Sequence, residues 1–63
     1  MDGTERINVK RGILVRVIQK QDQRSGKVTE GIVKDILTSS PNHPRGIKVS
    51  LESGIVGRVK EIL

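Results

Sequence analysis

Apolar and polar residues alternate along this chain in short runs, and polar loops separate the runs. After eight mostly polar residues, MDGTERIN, the segment VKRGILVRVIQ places a turn at Lys10 to Gly12. It then sets Ile13, Val15 and Val17 on one face and Leu14, Arg16 and Ile18 on the other. A two-residue period of this kind marks a strand with one face in a core. The polar octet KQDQRSGK, residues 20–27, interrupts the pattern, and VTEGIVKDIL resumes it. Next comes TSSPNHPRG, in which Pro41 and Pro44 fix their own φ and bias Ser40 and His43 towards extended backbone. IKVSL alternates cleanly, with Ile47, Val49 and Leu51 inward and Lys48 and Ser50 outward. ESG makes a short turn with Gly54 free to take positive φ, and IVGRVKEIL runs back to the end.

A helical period competes with this reading in places. Ile32, Val33, Ile36 and Leu37 have helical spacing, as do Ile13, Leu14, Val17 and Ile18, and Val56, Val59 and Ile62 lie three apart. Composition decides for strands. The 21 apolar residues comprise eight Val, eight Ile, four Leu and Met1, so sixteen are β-branched, and there is no Ala to favour a helix. Gly31 and Gly57 also fall inside the apolar segments. Where a strand shows spacing three, from Val33 to Ile36 or Val56 to Val59, a β-bulge would return both residues to one face. The last turn, Lys60 to Leu63, is expected to be 3₁₀. Residues 1–8 read as a flexible N-terminal tail and 9–63 as one domain. The fold expected is all-β, a small SH3-like antiparallel barrel of four to five strands, because closure hides strand edges and lets one layer of Val and Ile fill the interior.

The chain has 63 residues and no cysteine, so packing rather than disulfide or thiolate–zinc chemistry must hold the core. The longest apolar run is Ile13 to Val15, too short to span a bilayer, and no leader pattern precedes it; the expectation is a cytoplasmic protein with no membrane partner. Twelve Lys and Arg against seven Asp and Glu give +5, a charge that draws anions, nucleic acid first among them, and that otherwise serves solubility. With no Phe, Trp or Tyr there is no stacking platform for single strands and no aromatic groove for proline-rich peptides. Nucleic-acid contact would therefore run through the backbone, and a structured RNA read by shape fits better than a single strand.

The run from Gly12 to Ile62 resembles the YwbE-like family of small bacterial and archaeal proteins of unassigned function. The motifs that carry the resemblance are KQDQR.GK, G.V.DILT.SP.HP.GIKV.L and G.VGRV, with a dot for any residue. More remotely, VKRGILVRV followed by EGIVKDI is similar to the KOW motif of ribosomal proteins and transcription elongation factors. There a glycine sits two residues before a core valine, as Gly31 does before Val33. The KOW resemblance implies an SH3-like barrel that binds RNA or proteins of the transcription and translation machinery.

Candidate binding residues cluster in the loops. The octet offers Lys20, Arg24 and Lys27 with the amides of Gln21 and Gln23, and Gly26 would let its backbone turn tightly. The alternative is a hairpin tip shaped by Asp22 and Ser25, its charges solvated. In the stiff second loop, His43 and Arg45 would be held at low entropic cost, with Lys48 beyond them. His43 would contact phosphate or a base, or else cap the loop through a neighbouring backbone group. Arg58 follows Gly57, which permits a bulge or a close backbone approach, and its alternative role is an ion pair with Asp35 or Glu30. Arg24 and Lys27 are the expected anchors, and Arg24, Lys27, His43, Arg45, Lys48 and Arg58 are expected on one face. Catalysis lacks its parts: Ser25, Ser39, Ser40, Ser50 and Ser53 have only His43 as base, with Asp22 and Asp35 as orienters, so the chain reads as no enzyme. One histidine among scattered carboxylates gives no metal site, and no cofactor is expected. The partners expected are RNA or a ribonucleoprotein, with a protein adaptor that uses the same basic loops, or a patch near Ile55 and Leu14, as the alternative. The oligomeric state expected is a monomer or weak homodimer.

Overall fold

The computed structural model describes residues 3–63. Four strands form it: β1 (Leu14–Ile18), β2 (Thr29–Ile36), β3 (Lys48–Leu51) and β4 (Val56–Ile62). They close into an antiparallel barrel in which each strand pairs with two neighbours, β4 returning to β1. The SH3-like barrel expected from the alternating pattern is the fold found, at the lower strand count.

The interior is aliphatic. Val9, Val15, Val17, Val33, Ile47, Val49, Leu51 and Val59 are buried, with Ile13, Ile36, Ile55 and Ile62 packed against them. Each fully buried branched side chain contributes roughly 1.5–3 kcal/mol relative to exposure. Two glycines let the walls come this close. A Cβ at Gly31 would stand 2.7 Å from Leu51 Cδ1, and one at Gly57 would stand 2.9 Å from Val17 Cγ2.

Two bulges bend the strands. On β2 the register shifts between Val33 and Asp35, which lets Val33 and Ile36 both serve the core, as their spacing predicts. On β4 the bulge falls later than expected. Val17 pairs with Val59 and Arg16 with Glu61, so Lys60 is the extra residue. Val56 to Val59 instead alternates regularly, with Gly57 and Val59 buried and Val56 exposed. The expected final 3₁₀ turn is strand through Ile62, because β4 still pairs with β1 there.

The N-terminal segment lies against the barrel. Met1 and Asp2, the start of the expected tail, are outside the described residues. Gly3 accepts from the Ile47 N–H (2.7 Å), Thr4 from the His43 N–H (2.8 Å), and Arg6 N–H donates to Pro41 (2.8 Å), with Glu5 bridging to Asn42. A 3₁₀ turn, Arg6–Asn8, then leads to buried Val9. Polar side chains made this stretch read as a tail, but its backbone groups supply the partners that the irregular second loop requires.

Candidate functional site

One end of the barrel is framed by the octet, the second loop and β4. The octet begins as a 3₁₀ turn, Lys20–Asp22. Asp22 then closes the tip: its carbonyl accepts from Gly26 N–H (2.9 Å) and Ser25 Oγ (3.2 Å), and Gly26 takes φ 72°. Asp22 and Ser25 thus shape the turn, as the structural alternative for this loop anticipates. Its base is tied to β2 by side chains. Gln19 Nε2 donates to Thr29 Oγ1 (3.1 Å), and Gln21 Nε2 donates to Gln19 Oε1 (3.0 Å).

The second loop ends in a tight turn. Gly46 N–H donates to the His43 carbonyl (3.0 Å), and Arg45 N–H donates to His43 Nδ1 (3.1 Å). His43 is therefore the cap of this turn, its ring set by the backbone it receives. Gly46 has φ 101°, and a Cβ there would meet the Val59 carbonyl oxygen at 2.2 Å, so only glycine fits without displacement. Arg58 anchors the turn to β4, donating from Nη1 to the Gly46 carbonyl (3.1 Å). Its expected partners are engaged elsewhere: Asp35 with Arg11 (3.5 Å) and Glu30 with Arg16 (3.5 Å), which also reaches Glu61 (3.4 Å).

Between these parts lie two adjoining shallow depressions, of about 440 and 700 Å³, which have Ile18, Gln23, Arg45 and Arg58 in common and together make up a trough. Of the residues expected to bind, Lys20, Gln21, Gln23, His43, Arg45, Lys48 and Arg58 line it. Arg24 and Lys27 do not; they lie beyond Asp22 on the exposed tip. Sequence reasoning missed Lys60, which the late bulge on β4 brings to the wall, and Gly3 and Thr4, which form one end of it. The three-residue step from Val59 to Ile62 was the available signal for Lys60.

The charge of the trough is one-sided. Five cations line it, Lys20, Arg45, Lys48, Arg58 and Lys60, and no carboxylate does. Among the described residues, the ion pairs involve Arg11 and Arg16, both outside the trough. Lys48 and Arg58 moreover stand directly opposite each other in the β3–β4 ladder. Like charges in that position repel, so the sheet tolerates a cost there that an anion would offset.

The family model described as "Uncharacterized conserved protein (DUF2196)" matches residues 2–62. The chain belongs to the DUF2196 family. It is similar to the "Uncharacterized protein YwbE" of Bacillus subtilis (strain 168), 51% identical over 63 residues, which is all of this chain and 97% of that protein. No solved structure matches the chain. The DUF2196 match covers the strands, both loops and the trough together, in line with the YwbE-like resemblance carried by the loop and strand motifs. Among the described residues, no helix is long and apolar enough to cross a membrane.

Proposed function

We propose that this protein binds structured RNA, holding its sugar–phosphate backbone in the trough. The observation that carries this reading is a pair of adjoining depressions lined by five cations and no carboxylate, in which Lys48 and Arg58 are opposed across a ladder. Such a lining suits a row of phosphates. Two further points support it. The chain has no aromatic residue to stack unpaired bases. The similarity of its first two strands to the KOW motif adds a fold-level analogy to RNA-binding barrels.

The test is an NMR titration of labelled protein with a short RNA hairpin, a single strand and a DNA duplex, at low and at physiological salt. The expected result is a set of shifts with the RNA hairpin confined to residues 3–4, 18–23, 43–48 and 56–60. If all five cations engage phosphate, affinity falls roughly several hundred-fold between 50 and 200 mM salt. Flat spectra with every nucleic acid overturn the reading. A partner that survives nuclease treatment in a pull-down would then point to protein docking on the same cations.

A further inference from the structure

Besides its cations the trough is lined by the polar side chains of Thr4, His43, Gln21 and Gln23, the last two of them amides. Lys20, Arg45, Lys48, Arg58 and Lys60 only donate hydrogen bonds. His43 already accepts from Arg45 N–H, and the Gly46 carbonyl accepts from Arg58. Gln21 and Gln23 bring carbonyl oxygens, which accept. Gln21 is oriented by the relay that runs through Gln19 to Thr29, and this engages its amide nitrogen against the loop. Among the described residues no hydrogen bond engages its oxygen, and Gln21 lines the trough. Gln23 lies on the stretch shared by both depressions, beside Arg45 and Arg58.

The backbone of DNA consists of acceptors: phosphate oxygens, ester oxygens and ring oxygens. It has no donor to offer an amide oxygen. The RNA backbone has one, the ribose 2′-hydroxyl. From this juxtaposition of amide acceptors and cations we infer that Gln21 and Gln23 make the trough selective for RNA over DNA by accepting from 2′-hydroxyls while the neighbouring cations hold the flanking phosphates. The inference rests on the RNA reading above and adds the residues that tell the two polymers apart.

Binding to a short RNA hairpin, the same hairpin with 2′-fluoro sugars in its stem, and the DNA hairpin of equal sequence tests it at one salt concentration. Fluorine keeps the A-form geometry and the phosphates but removes the donor. The wild-type protein should bind the hydroxyl hairpin roughly three- to tenfold more tightly than the fluoro hairpin for each bond made. The double variant Gln21→Met, Gln23→Met should bind the two alike, at the wild-type affinity for the fluoro form. Lys20→Met should weaken binding to all three hairpins. Equal wild-type affinity for hydroxyl and fluoro hairpins, or an undiminished preference in the double variant, overturns the inference while leaving RNA binding by shape and charge intact. Absence of binding to all three removes the parent reading, and this one with it.

Discussion

Arg58 and Gly46 are joined by a 3.1 Å hydrogen bond from guanidinium to carbonyl, which fixes the second-loop turn to the start of β4. Arg58 thereby has two tasks, holding the turn that carries Arg45 and adding charge to the trough. Arg58→Ala should lower unfolding free energy by about 1 kcal/mol in urea denaturation. It should also reduce the salt slope of RNA binding by about one phosphate contact. A variant with unchanged stability would show the bond contributes nothing to the turn.

Gly46 and Gly26 both have positive φ, but they should respond differently to a side chain. A Cβ at Gly26 meets nothing within 4 Å, whereas at Gly46 it meets the Val59 carbonyl. Gly26→Ala should cost roughly 1 kcal/mol from backbone conformation alone. Gly46→Ala adds a steric conflict with the backbone and should cost well above that, enough in a chain this short to leave much of it unfolded. Circular dichroism melts of both variants check the order, and equal melting temperatures would contradict it.

His43 acts on the turn as an acceptor, so its replacement should depend on whether an acceptor remains. His43→Ala removes the partner of Arg45 N–H and should destabilise by about 1 kcal/mol. His43→Asn puts a side-chain oxygen within reach of the backbone two residues on, a geometry that Asn favours, and should recover most of that loss. Comparing the two by urea denaturation separates capping from any role that needs the ring.

Lys48 stands opposite Arg58, and this pairing should set stability against binding. Lys48→Glu replaces repulsion with attraction and should raise unfolding free energy by roughly 0.2–1 kcal/mol. The same change should weaken RNA binding more than loss of one cation would, because it introduces the trough's first carboxylate. Arg16→Ala, a cation lost outside the trough, should leave affinity nearly unchanged. Parallel loss of binding in Arg16→Ala would mean that net charge, not the trough, governs association.

The barrel was legible in the sequence because β-branched alternation, loop length and turn glycines all favour the same architecture. Val15, Val17, Ile47, Val49 and Leu51 occupy the interior that their spacing assigns. What escaped sequence reasoning was carried by backbone groups or by register. Gly3 to Arg6 are held through main-chain hydrogen bonds, which leave no mark in side-chain polarity. The bulge on β4 was expected near Gly57 because glycine permits one there, yet that glycine is needed for close approach to Val17, and the irregularity moved to Lys60. The trough followed the same logic. Loop composition named five of its residues, and strand position named Lys48 and Arg58, whereas the displacement of Arg24 and Lys27 came from the way Asp22 closes the tip.

The closure of β4 onto β1 limits how any partner is recognised. Among the described residues each of the four strands has a neighbour on both sides over part of its length, so a guest peptide meets no wholly unpaired edge strand to extend. On the proposed reading recognition falls chiefly to side chains, and at the trough the charged, amide and imidazole ones are lysine, arginine, glutamine and one histidine. On the proposed reading, a family relative that exchanged these residues on the same valine-filled barrel would keep its shape and change its ligand, so the vocabulary of such a barrel lies in about eight surface positions rather than in its architecture.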